Sequence, residues 1–184
     1  FERLFRRAGL TMRMSEGFHP KPKMSFPSAL AVGTASLDEV MELELSEAID
    51  AQETLQRLTS RAPVGLTIVD VQLCDASQGK ARIQTTEYQF PVPVERHRQV
   101  EQSIADLMAQ PTCLIHREGR SDPIDAKVNL ESIRLCDDKI CFRIRSSHEA
   151  SVRPLDLLQI LGLTDLKQRG FFLTRSEVEL TSGC

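Results

Sequence analysis

Residues 126–146, AKVNLESIRLCDDKICFRIRS, decide the fold, because they read as two strands reversing direction at the polar turn CDDK. Upstream, RHRQVEQSIADLMAQ (96–110) predicts a helix and EYQFPVP (87–93) the strand before it, while CLIHRE (113–118) predicts a further short strand. Downstream, PLDLLQILGL (154–163) predicts a helix with Pro154 in its first turn and a stop near Gly162, and FFLTRSEVEL (171–180) a closing strand. The order is β-α-β-β-α-β.

The same order is expected in the amino-terminal half. FERLFRRAG (1–9) predicts a helix stopped at Gly9, and its abrupt start leads us to expect that the helix, and a strand before it, begin upstream of Phe1. LTMRMS (10–15) and VMELELS (40–46) alternate as strands, the glutamates of the second facing water. Asp50 followed by Glu53 predicts a capping box on the helix DAQETLQRLTSRAP (50–63), and LTIVDVQLCD (66–75) alternates as a closing strand. The expected fold class is therefore α+β, with two ferredoxin-like βαββαβ halves in tandem and the first strand of the first half missing. The polar stretch DASQGKARIQTT places the boundary near Gly79, giving expected domains 1–78 and 79–184.

Bulk properties narrow the function classes. The 184 residues are 41% hydrophobic and 27% charged, and no stretch approaches the roughly 20 apolar residues of a membrane-spanning helix. No membrane association is expected. The odd count of five cysteines, without a CxxC pair, points to a reducing, cytoplasmic setting without a disulfide framework. The net charge of −3 conceals a segregation: residues 1–23 hold Arg3, Arg6, Arg7, Arg13, Lys21 and Lys23 against Glu2 and Glu16, whereas 36–56 hold seven acids and no Lys or Arg. An anionic partner would approach the amino-terminal segment.

The stretch SEGFHPKPKMSFP (15–27) places two phenylalanines, a histidine and two lysines among three prolines, which stiffen a loop by fixing φ and biasing the preceding residues. Such a loop suits nucleic acid, with Lys21 and Lys23 on phosphates and Phe18 or His19 against a base. Equally, Phe18 and Phe26 are candidates for core anchors, and the lysines for solvated surface. His19 also has the chemistry of an acid–base group or metal ligand, but no HxH or HxxxH spacing accompanies it, so no metal is expected. Cys136 and Cys141 flank the hairpin turn, where they read as a facing thiol pair or as two small apolar residues. Arg117, Arg120, His148 and Arg153 fall in connecting segments, either extending a basic track or pairing with Glu118, Asp122, Asp125 and Glu149. No phosphate loop, GxSxG or HExxH occurs, and no cofactor is expected.

The run RLFRRAGLTMRMSEGFHPKPKMSFPSALAVGTAS resembles the opening of the radical SAM-linked protein family, a bacterial domain of unknown function encoded beside or fused behind a radical SAM enzyme. That family's pattern is close to RRAGLP…SQGFHPHPKISF…PLPLGxxS, with an RP-led helix near the end as in VRPLDLLQILGL. Lys21 stands where the family often has a second histidine, and Glu16 where it often has glutamine. The resemblance implies a radical SAM partner, with this domain supplying recognition or docking. The paired halves and basic proline loop are also similar, at the level of fold, to CRISPR repeat-processing endoribonucleases, a likeness that transfers no activity.

Three functions follow as expectations. The first is a non-enzymatic module that binds RNA, such as tRNA, or presents a substrate to a radical SAM protein. Arg6, Arg7, Arg13, Lys21, Lys23 and Arg153 would contact phosphates, and Phe18 and His19 a base. The second is a protein–protein adaptor for that partner, and the third a ribonuclease-like enzyme using His19.

Overall fold

Alternating strands build the larger sheet of the α+β structure, a computed structural model that describes residues 1–74, 79–119, 121–147 and 151–181. Helices are α1 (Glu2–Arg7), α2 (Ala51–Thr59), α3 (His97–Ala109), α4 (Pro154–Ile160) and α5 (Thr164–Gln168). Strands are β1 (Met24–Ser25), β2 (Thr34–Ser36), β3 (Glu42–Leu43), β4 (Ile83–Pro91), β5 (Leu114–Ile115), β6 (Ile124–Asp125), β7 (Leu130–Cys136), β8 (Lys139–Arg145) and β9 (Leu173–Leu180). Two compact units result: Phe1–Pro27 with Val40–Ala81, and Ser28–Glu39 with Arg82–Thr181.

In the second unit, five strands lie in the order β2-β9-β4-β8-β7. All neighbours are antiparallel except β2 and β9, which run parallel with Thr34 opposite Leu173. The β7–β8 hairpin turns at Asp137 and Asp138, with Asp137 at φ +50°, a left-handed conformation that Asp tolerates better than most residues. Phe90, Ile140, Phe142, Ile144 and Leu173 from the sheet pack with Val100 of α3 and with Leu157, Leu158, Leu161, Leu163 and Leu166 around α4 and α5. Burying that much apolar side chain is the dominant favourable term for the unit. The expected strand at CLIHRE is β5, which pairs with β6 as a separate two-stranded sheet instead of joining the main one.

The segment Ser28–Glu39 packs with the second unit, so the two units are not the contiguous halves 1–78 and 79–184. Its anchor is Arg175 on β9, only 1% exposed. Arg175 Nε donates to Glu39 Oε1 at 2.8 Å, Nη2 also meets Glu39 Oε2, and Nη1 and Nη2 donate to Ser28 Oγ and O at 3.1 and 3.2 Å. Burial alone pulls the Arg175 pKa down, but the bonds to Glu39 more than reverse this and hold it above its ordinary value.

The first unit departs from the expected half. Gly9 ends α1 at φ +67°, as its position predicts, and Asp50 caps α2 by accepting from the amides of Gln52 and Glu53 at 2.8 and 3.2 Å. The box is not reciprocal, since the Glu53 carboxylate turns to Arg57. LTMRMS contributes only the bridges Met12–Leu45 and Met14–Pro22, and the stretch 66–74 forms no strand. Leu66, Ile68 and Val71 nevertheless pack on the core of Leu4, Phe5, Ala8, Leu10 and Leu58. The packed positions break the period of two, since Val69 and Leu73, on the side of Val71, are exposed, and strand formation also needs a neighbour offering backbone partners.

Candidate nucleic-acid interface

Three chain segments of the first unit hydrogen-bond in a ring. Arg13 N donates to Glu44 O at 2.8 Å, Glu44 N to Lys23 O at 3.0 Å, and Lys23 N to Arg13 O at 2.8 Å. The loop between the first two segments is closed by Ser15: its N donates to Lys21 O at 2.8 Å, and its Oγ accepts from Lys21 N at 2.9 Å. Residues 16–20 form the tip, with Gly17 at φ +120°, a conformation an L side chain would strain. At that tip Phe18 is fully exposed. His19, Pro20 and Lys21 are exposed beside it.

The two phenylalanines of the loop have opposite fates. Phe26 lies with its ring centroid 5.4 Å from Phe1, which in turn stacks on the buried Phe5 at 6.2 Å, so it closes the edge of the core. Phe18 makes no ring contact of this kind among the described residues. Its ring therefore stands in solvent on a hydrogen-bonded tip, without the burial that ordinarily holds a phenylalanine.

The cations divide as well. Glu44 Oε2 lies 3.2 Å from Lys23 Nζ and 3.5 Å from Arg13 Nη1, so one carboxylate answers two positive charges. Arg7 Nη2 donates to Arg61 O at 3.1 Å, tying α1 to the end of α2. Arg6 and Lys21 are exposed and have no ion pair among the described residues. Exposed pairs such as those on Glu44 contribute roughly 0–1 kcal/mol, so a phosphate can displace the carboxylate. The seven acids that follow in sequence therefore do not stand wholly apart from the basic segment, which lowers its local charge.

His19 is exposed, and among the described residues no hydrogen bond or ion pair holds a hydroxyl, carboxylate or second imidazole against it, the arrangement that acid–base or nucleophilic chemistry uses. Among the described residues no group of three His, Cys, Asp or Glu side chains is placed to hold a metal ion.

Arg153 belongs to the second unit and lines a cleft of about 840 Å³ there, together with His116, Arg117, Glu118, Asp156 and Gln159. Asp156 accepts from Arg153 N at 2.7 Å and pairs with Arg117, which also donates to Ser151 O at 2.9 Å. Arg117 is thus a structural ion pair, although its Nε is buried without an acceptor. Arg120 and His148, the other basic residues singled out in these segments, lie outside the described residues. Sequence reasoning missed the ring around Arg13, Lys23 and Glu44, whose signal was the alternating acids of VMELELS. It also missed the Arg175–Glu39 pair, which nothing local announces.

No helix among the described residues is long and apolar enough to cross a membrane. No curated protein and no solved structure matches the chain. A family model described as an uncharacterized protein conserved in bacteria matches residues 1–154 and so includes α1, the exposed tip, the larger part of the five-stranded sheet and Arg153. By that match the chain belongs to the bacterial family DUF2344.

Proposed function

We propose that the chain is a non-catalytic cytoplasmic module that binds RNA, such as tRNA or another structured RNA, and presents it to a radical SAM protein. The observation that carries the reading is Phe18, fully exposed on a tip held by the Ser15–Lys21 bonds, with the exposed Lys21 beside it. Stacking of a base on such a ring and neutralisation of the adjoining phosphate are the two elements of sequence-tolerant RNA binding. Lys21, Arg6 and Arg7 would supply phosphate contacts first, and Arg13 and Lys23 once a phosphate displaces Glu44. The radical SAM partner rests on the resemblance of residues 3–36 to the radical SAM-linked family. The order β9-β4-β8-β7, with α3 between β4 and β7 and α4–α5 between β8 and β9, supports reading the second unit as ferredoxin-like.

Fluorescence anisotropy with labelled tRNA tests the reading. Binding should weaken steeply between about 50 and 200 mM salt. Phe18→Ala should weaken it by about 1–3 kcal/mol, roughly thirtyfold near the middle of that range, at every salt concentration. Lys21→Ala should weaken it too and lower the salt slope by about one. No retention of RNA by the wild-type chain at low salt would end the proposal. Because Phe18 is apolar, it equally suits a protein pocket, and this favours the adaptor as the second reading. A radical SAM protein that co-purifies after nuclease treatment, and is lost in Phe18→Ala, would select it.

A further inference from the structure

We propose that the cleft between β5 and α4 of the second unit binds a small aliphatic carboxylate, with its anionic head on Arg153 and its hydrocarbon body on Leu114, Ile115 and Ile160. The cleft, of about 840 Å³, lies within the size range of small-molecule sites. One carboxylate braces it. Asp156 Oδ2 accepts from Arg153 N at 2.7 Å and also from Arg117 Nη2, and Asp156 N donates back to Arg153 O at 3.0 Å. Arg117 Nη2 donates in addition to Ser151 O at 2.9 Å. The Arg117 and Asp156 side chains each keep only 15% of their surface accessible, so these bonds are shielded from water and fix the Arg153 backbone. The Arg153 residue itself is exposed, lines the cleft and enters no ion pair among the described residues.

Charge selects the head group. Arg117 and Asp156 neutralise each other, which leaves the Arg153 guanidinium with the exposed His116 and Glu118 as the other ionisable groups on the cleft. A guanidinium takes carboxylate and phosphate alike through its parallel N–H donors. A phosphate monoester carries close to two negative charges at neutral pH, and the carboxylates of Glu118 and Asp156 oppose the second. A carboxylate carries one charge, which matches the one guanidinium not already spent on Asp156. The wall selects the body. Leu114 is 57% exposed, and Ile115 and Ile160 are half-buried where they pack against the core of the unit. Covering these three with hydrocarbon removes apolar surface from water and adds affinity that an exposed ion pair lacks. No Phe, Tyr or Trp is among the described residues that line the cleft, so aliphatic chains suit it better than rings that stack.

Calorimetric titration of the full chain with octanoate should show saturable binding at millimolar concentration or below. Octylamine and octanol, which share the chain but lack the anion, should not saturate. Arg153→Gln should weaken octanoate by about tenfold, the ratio that one charge-assisted hydrogen bond supplies. Arg98→Gln, at an exposed position of α3 that does not line the cleft, should leave binding unchanged. Ile160→Ala should weaken it several-fold, and in methyl NMR of the wild type the signals of Leu114, Ile115 and Ile160 should move as octanoate is added. Those methyl shifts locate the site without any substitution, so they hold even where a variant is less stable. Failure of octanoate to saturate, equal binding of octanol, tighter binding of octyl phosphate, or methyl shifts confined to residues outside the cleft would each overturn the proposal.

Discussion

Arg175 and Glu39 illustrate how unequally two partners of one ion pair can be exposed: the guanidinium is almost wholly out of water, while the Glu39 side chain keeps about a third of its surface accessible, 31%. Removing the carboxylate strands a buried charge, whereas removing the guanidinium leaves a carboxylate that can rehydrate. Glu39→Ala should therefore destabilise the second unit by about 3–5 kcal/mol, and Arg175→Met by less. Urea unfolding of the two variants checks the order, and equal losses would contradict this account. At the same scale, Phe18 and Phe26 share a loop and a residue type, yet one is a free knob and the other closes a core edge. Composition made both candidates for either role. Only the position of Phe1 relative to Phe26 separates them.

Among elements, β4, α3, β7, β8, α4 and β9 were legible because each has enough residues for its period to repeat. The five-residue α5 was not, since little more than one turn shows no periodicity, and the ladder-free segment 66–74 was misread for the opposite reason. A side chain braces the small β5–β6 sheet beyond its own backbone pairing. Asp125 accepts from the amides of Cys113 and Lys127 at 2.9 and 3.0 Å, and these bonds hold its carboxyl below the usual range against a smaller opposing effect of burial. With the folded pKa lowered, the carboxylate contributes stability above the unfolded value of about 3.9, and that contribution is lost as pH falls through the folded value. The advantage of the wild type over Asp125→Asn should accordingly be full near neutral pH and shrink once the pH drops below about 4. Thermal unfolding across that range measures it, and a gap independent of pH would show that Asp125 acts only through its shape.

At the scale of the whole molecule, β4 is the middle strand of the five, bonded to β8 on one side and β9 on the other. Amide exchange should be slowest in β4, β8 and β9, and fast in residues 16–20 of the loop tip and in the ladder-free stretch 66–74. Hydrogen exchange read by mass spectrometry tests this, and protection of 66–74 equal to that of β4 would imply a ladder the structure does not contain. Sequence alone determined the α+β class, the helix stop at Gly9, the Asp50 cap, the hairpin turn and the candidate tip, because each depends on neighbours a few residues apart. Tertiary structure alone decided that Thr34–Ser36 joins β9 as a parallel strand, that Glu39 answers the buried Arg175, and that Glu44 answers Arg13 and Lys23. Parallel pairing and ion pairing join residues far apart in the chain, and local periodicity carries no record of which distant backbone or charge will close the contact.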